Sequence, residues 1–197
     1  MKIAVLALQG AFIEHIQVLR HLGVETMEIR QLSDWLRFSE SVSSFSDANG
    51  GGLILPGGES TVQMRLLSQL RLLEPVREAI LGGMPVFGTC AGMILLSESH
   101  LATMDIRVRR NAYGRQLGSF HTVGPVEGLG DNIPMTFIRA PYIEEVTSSK
   151  CKAVATVDGH VVAARQGNQL ATAFHPELDD DLRLHQFFLK LIASRPA

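Results

Sequence analysis

The hydrophobic positions change their rhythm along the chain. Ile3 to Leu8 is an unbroken apolar run, the pattern of a strand covered on both faces in a parallel sheet. After Gly10 the apolar residues Phe12, Ile16, Leu19 and Leu22 recur at helical spacing, Gly23 stops that helix, and a second short strand follows near Glu25 to Ile29. This is a βαβ opening. A short helix is expected at residues 33 to 38, followed by a Ser- and Gly-rich surface loop from 39 to 52. Leu53 to Leu55 is the next buried strand, Pro56 to Thr61 turns the chain, Val62 to Leu73 reads as a helix, and Pro85 to Gly88 begins another strand.

Beyond residue 100 the pattern becomes β-rich. Segments near 105 to 109, 119 to 126, 134 to 139, 153 to 157, 160 to 165 and 169 to 174 carry strand residues separated by turn residues, and several alternate, so some are expected to be antiparallel. Asp179 to Asp181 supply cap and first-turn acids for a last helix in which Leu184, Phe187, Phe188, Leu191 and Ile192 keep helical spacing. The order of elements predicts one α/β domain over residues 1–197, with no internal repeat and no interdomain linker.

Composition narrows this picture rather than changing it. A chain of 197 residues with 46% hydrophobic content is long enough to bury roughly 70% of its unfolded surface in one core. Its 18 basic and 20 acidic residues nearly cancel and form no basic run, which argues against nucleic acid as a partner. The apolar run at the N-terminus is ended by Gln9 and Gly10 before a membrane span or secretory core could form, so no membrane association and a cytoplasmic location are expected. Cys90 and Cys151 are too few for a disulfide framework or a four-sulfur zinc site. The question for each is its reactivity.

Gly88-Thr89-Cys90-Ala91-Gly92 follows the apolar pair Val86-Phe87 and precedes a helical stretch, the strand, turn and helix context of a nucleophile elbow. There the glycines permit a sharp turn, the sulfur stands exposed at the carboxyl edge of the sheet, and the positive end of the following helix favours the thiolate. The alternative is a buried structural cysteine. A nucleophilic cysteine needs a base, and His175, at the end of the apolar stretch Leu170 to Phe174, has the best context of the seven histidines. If the backbone stays extended, Glu177 points the same way and its carboxylate fixes the imidazole tautomer. Taken alone, His175-Pro176-Glu177 is better read as an ordinary surface turn, and its pairing with the cysteine elbow reverses that reading.

Pro56-Gly57-Gly58-Glu59-Ser60-Thr61 lies between a strand and a helix, where free backbone N–H groups converge on an anion. No Gly-Lys-Ser/Thr follows, which excludes a P-loop. An oxyanion hole from Gly57, Gly58 and the N–H of Ala91 is the sharper reading, worth about 3 to 4 kcal/mol to a reaction barrier. Cys151 has no elbow and is read as structural. His15, His21, His100, His121, His160 and His185 are scattered without metal-ligand spacing, so no metal is assigned.

The stretches Leu55 to Thr61, Phe87 to Gly92 and Phe174 to Leu178 resemble the triad class of glutamine amidotransferases. More narrowly, Leu6 to Gly10, Arg110 to Gln116 and Phe137 to Pro141 resemble the glutaminase subunits of pyridoxal 5'-phosphate synthase, over residues 3 to about 190. The resemblance implies a three-layer flavodoxin-like fold, with a mixed, mostly parallel central sheet, helices on both faces and extra antiparallel strands in the second half. It implies Cys90 as nucleophile, His175 as base and acid, Glu177 as its orienter, and Gly58, Glu59, Ser60, Arg110, Ile138 and Arg139 at glutamine-contacting positions. It also implies a partner: a synthase subunit that accepts the ammonia and activates the glutaminase. No cofactor is needed for such hydrolysis. The loop at 39 to 52 is longer, and the link from His100 to Thr103 shorter, than the family pattern. Two other readings are a glutaminase subunit of a different synthase, such as imidazole glycerol phosphate synthase, and a noncatalytic regulatory subunit of the same fold.

Overall fold

A computed structural model describes residues 1–42, 50–110 and 119–194. In its first half the strands β1 (Lys2–Leu6), β2 (Glu25–Ile29), β3 (Gly52–Leu55) and β4 (Val86–Thr89) alternate with α1 (Phe12–His21), α2 (Leu32–Ser41), α3 (Ser60–Gln69), α4 (Leu73–Leu81) and α5 (Ala91–Leu96). The second half adds β5 (Ile106–Arg109), β6 (Ser119–Val126), β7 (Gly130–Ile138), β8 (Tyr142–Val146), β9 (Cys151–Val157), β10 (His160–Gln166) and β11 (Gln169–Thr172), and ends in α6 (Arg183–Ala193). The main sheet has the order β2-β1-β3-β4-β11-β10-β8-β5, with β9 paired to β10, while β6 and β7 form a separate antiparallel ribbon. From β2 to β11 the strands are parallel, and from β11 to β5 they are antiparallel.

The unbroken apolar runs are explained by burial on both sides. Every residue of β3, β4 and β11 is buried, as are Ile3 to Leu6 of β1. Successive side chains on β4 show the two faces. Phe87 packs on Phe188 and His185 of α6 and on His15 of α1. A Cβ built on Gly88 would instead meet Gly92 and Leu96 of α5. Helices therefore cover the sheet on both faces. The parallel strands β3, β4 and β11 lead at their carboxyl ends to Pro56, Cys90 and Ala173, which gathers three loops at one edge.

Four boundaries differ from expectation. Residues 62 to 73 do not form one helix: α3 ends at Gln69, Arg71 takes a left-handed φ of 57°, and α4 starts at Leu73. No glycine marks that break, but Pro75 fits in the first turn of α4, where no N–H is required. Helix α2 runs on to Ser41, into the expected loop, whose residues 43–49 lie outside the described residues. Strand β8 was not expected, because Glu144 and Glu145 are both exposed and break the alternation. Of the acids before α6, Asp181 accepts the backbone N–H of Arg183 at 2.9 Å, whereas Asp179 accepts from Thr136 Oγ1 at 2.8 Å.

Candidate active site

Cys90 stands between β4 and α5 with φ 48° and ψ −101°, a backbone conformation that a side chain disfavours. Its N–H donates to the Thr172 carbonyl of β11 at 2.7 Å, so a neighbouring strand holds the strained residue in place. The flanking glycines serve the turn by leaving room, not by adopting left-handed backbone. A Cβ on Gly92 would lie 1.9 Å from the Leu55 carbonyl oxygen, and one on Gly88 would lie 2.7 Å from the Gly92 backbone. The strain sits on the cysteine itself.

His175 follows β11, and its N–H donates to the Thr136 carbonyl of β7 at 2.8 Å. The chain does not stay extended here. Pro176–Leu178 is a 3-10 turn, with Pro176 at a position where proline starts helices well, and this turn brings Glu177 back onto the imidazole. His175 Nδ1 lies 2.7 Å from Glu177 Oε1, and the ring lines the same hollow as Cys90. Both residues are buried, His175 to 6% and Glu177 to 6% exposure. Burial alone would depress the histidine, but the hydrogen bonds and charges of Cys90 and Glu177 win and push it up to about 10. Burial raises the Glu177 carboxyl against the opposing pull of His175.

The expected binding residues converge on the same edge. A cleft of about 200 Å³ is lined by Gly58, Glu59, Ser60, Cys90, Arg110, Ile138 and Arg139, together with Ile94 and Pro141. An adjoining hollow of about 180 Å³ shares five of these residues and adds Gln9, Gly57 and His175. Arg139 Nη2 donates to Glu59 Oε1 at 3.4 Å and Arg110 Nη2 to Thr61 Oγ1 at 3.2 Å, so both guanidinium groups reach the α3 side of the cleft. The hydroxyl of Ser60 is buried and has no partner among the described residues. Ala91, the third expected oxyanion donor, opens α5 directly behind Cys90, in the first turn, where helix N–H groups lack intrahelical acceptors. Asn111 to Gln116 of the expected arginine-containing motif lie outside the described residues.

Sequence reasoning missed the groups that shape this edge. Gln9 Oε1 accepts the Glu59 N–H at 2.8 Å, and Gln63 Nε2 donates to the carbonyls of Gln9 and Pro56 at 2.9 and 3.1 Å. Gln63 is fully buried on a helix otherwise read by its apolar spacing, the one signal that could have exposed it. The histidines are not all scattered: His15 Nδ1 and His185 Nε2 are 2.9 Å apart, and His15 Nε2 is 3.1 Å from Thr89 Oγ1, beside Cys90. Cys151 is buried on β9, and burial followed by the charge of Asp105 pushes its thiol up to about 11, which leaves it unreactive near neutral pH.

A curated relative from Streptococcus pneumoniae strain CGSP14, named pyridoxal 5'-phosphate synthase subunit PdxT, is 55% identical and covers 99% of each chain. A second, from strain ATCC 700669, is 54% identical over 99% of this chain and 100% of its own. The solved structure described as a glutamine amidotransferase superposes with a TM-score of 0.84 at 38% identity, over 96% of this chain and 98% of that one. A putative GMP synthase subunit from Thermoplasma acidophilum, at 21% identity and a TM-score of 0.69 over 98% and 94%, shares the fold. With the family model matching residues 5–194, the chain belongs to the SNO glutamine amidotransferase family.

Proposed function

We propose that this chain, as one domain, hydrolyses L-glutamine to L-glutamate and ammonia, and passes the ammonia to a synthase subunit that makes pyridoxal 5'-phosphate. One observation carries the reading: the buried His175 ring, held by Glu177 Oε1 at 2.7 Å, lines the same hollow as Cys90. The Cys90 thiolate attacks the side-chain amide carbon of glutamine, and N–H groups of Gly57, Gly58 and Ala91 hold the oxyanion. His175, protonated near neutral pH, gives its proton to the departing ammonia. In the thioester that results, the sulfur carries no charge. One of the causes that raised His175 is gone, and the neutral ring can take a proton from the water that releases glutamate. Glu59 complements the ammonium group of glutamine, and Arg110, Arg139 and the unpartnered Ser60 hydroxyl complement its carboxylate.

The need for an acceptor follows from the product. Ammonia released into water at neutral pH becomes ammonium and loses its nucleophilicity, so a direct hand-over preserves its use. The names of the 54–55% identical relatives favour the pyridoxal phosphate synthase as acceptor over other ammonia-using synthases. The test is glutamate release from glutamine with and without that synthase subunit. Turnover rises when the synthase is added. Turnover that ignores it but responds to a different acceptor enzyme moves the chain to another pathway.

Glu177→Gln separates charge from orientation, because the amide oxygen can still accept from Nδ1 while the negative charge is lost. Glu177 stabilises the protonated ring, so removing its charge lowers His175 from about 10 toward its ordinary value. The high-pH limb of the kcat profile, where the imidazolium is lost, is expected to move down by at least about one pH unit, with kcat reduced about 100-fold or more. An unshifted limb would show that Glu177 acts only in packing.

A further inference from the structure

Two buried histidines lie behind the triad, on helices far apart in sequence, and the mechanism above uses neither. His15 of α1 and His185 of α6 are both fully buried, caged by the edge contacts of Phe87. His15 Nε2 lies 3.1 Å from Thr89 Oγ1, the residue before the nucleophile, and 3.4 Å from Glu177 Oε2. That carboxylate oxygen has no hydrogen-bond partner among the described residues. The protons can be assigned by accounting. His185 Nδ1 is buried without a partner among the described residues, and a bare lone pair there is less costly than an unmet N–H. The proton of His185 therefore sits on Nε2 and is donated to His15 Nδ1, 2.9 Å away. An Nδ1 that accepts leaves the single proton of neutral His15 on Nε2, aimed between Thr89 and the free oxygen of Glu177.

We propose that His15, locked in this tautomer by His185, is a positioning residue for the glutaminase triad: its Nε2–H holds Glu177 charged and turned toward His175. The proposal rests on the glutaminase reading for its kinetic consequences, though not for its chemical ones. A buried carboxylate is held in its charged form by the donors that face it. Glu177 has one hydrogen-bonded partner, His175 on its own turn, and a second N–H facing its other oxygen at 3.4 Å, that of His15 from α1, while Glu14 on α1 opposes them with a like charge. Burial, then the charges of His185 and His175, hold His15 well below its ordinary value, and burial lowers His185 to about 4. Both rings are neutral near pH 7 and act through N–H dipoles. A charged His15 would compete with His175 for the carboxylate; a neutral one orients it.

The readout is the acid limb of Cys90 reactivity. Without the His15 N–H, Glu177 takes up its proton at higher pH, and a neutral Glu177 no longer favours the imidazolium–thiolate pair of His175 and Cys90 over the neutral imidazole and thiol. The acid limb accordingly moves up. For His15→Phe, which fills the space without the donor, the limb of Cys90 alkylation by iodoacetamide and that of the kcat profile both move up by about one pH unit. Near neutral pH, kcat falls about tenfold with little change in KM. His15→Gln, whose amide N–H can take the place of Nε2–H, moves the limb back toward the native position. His185→Phe, which removes the lock but not the donor, shifts it in the same direction by less, and also serves should His15→Phe not fold. A native acid limb in folded His15→Phe or His185→Phe, with only a lower melting temperature, would overturn the proposal. So would a His15→Gln limb no nearer to native than that of His15→Phe. If the native chain with its synthase released no glutamate, the glutaminase reading would fail while the alkylation limb still decided the role of His15.

Discussion

Replacing Cys90 by alanine is expected to reduce glutamate release at least about 10⁴-fold while leaving the fold intact. The size follows from the chemistry: without the sulfur there is no thioester, and the remaining oxyanion donors and binding groups act only on direct attack by water. The fold survives because Cys90 is held by its backbone N–H on the Thr172 carbonyl, which alanine keeps. Alanine meets the same left-handed strain as cysteine, so the change adds none. Circular dichroism and melting temperature should therefore stay near native while activity disappears. Cys151→Ala is the control, since that thiol is buried on β9 away from the cleft, and its turnover stays within about twofold of native where the protein folds. Turnover in Cys90→Ala within about tenfold of native would sink the covalent mechanism and return the chain to a binding or regulatory role.

How much of this was legible in the sequence depended on whether the cause was local. The parallel half was readable because strands buried on both faces have no polar positions, as β1, β3, β4 and β11 show. Cys90 was readable because close approach of β4, α5 and Leu55 demands glycine at both 88 and 92. Where the cause lay elsewhere in the chain, the pattern was silent. Nothing in residues 69 to 73 announces that the helix breaks at Arg71, because Leu70, Leu72 and Leu73 keep an apolar texture through the turn. The local conformation at His175 was misread although its outcome was right: an extended segment and a 3-10 turn both bring Glu177 onto the ring, and Pro176 favours the turn. His15 and His185 are separated by 170 residues, and no spacing rule links two histidines across a chain. The fold joins them as one group, through their 2.9 Å contact and their shared packing on Phe87.

Gly92→Ala is expected to destabilise the protein by at least about 3 kcal/mol, above the usual range for overpacking, because the added methyl has no flexible neighbour to displace. Its Cβ would lie 1.9 Å from the Leu55 carbonyl oxygen and 2.7 Å from the Leu55 carbonyl carbon, both backbone atoms of a strand buried between parallel neighbours. Either β3 or α5 has to move. For a chain of this length the loss corresponds to a fall in melting temperature of about 6 to 12 °C. Gly23→Ala sets the scale for backbone strain without a clash: at φ 73° it is left-handed, nothing among the described residues lies within 4 Å of its Cβ, and it should cost only about 1 to 2 kcal/mol. A Gly92→Ala melting temperature no lower than that of Gly23→Ala would mean that the helix can withdraw from the strand at little cost. The surviving activity then distinguishes the two ways of yielding. If α5 withdraws, the Ala91 N–H moves with it away from the proposed oxyanion position, and kcat falls even in the folded fraction. If β3 yields, the strain reaches Pro56 and the Gly57-Gly58 loop, with Glu59 still tied to Gln9, and the loss appears in KM as well. Either outcome makes the contact between Gly92 and Leu55 the point at which the packing of the sheet sets the geometry of the turn at Cys90.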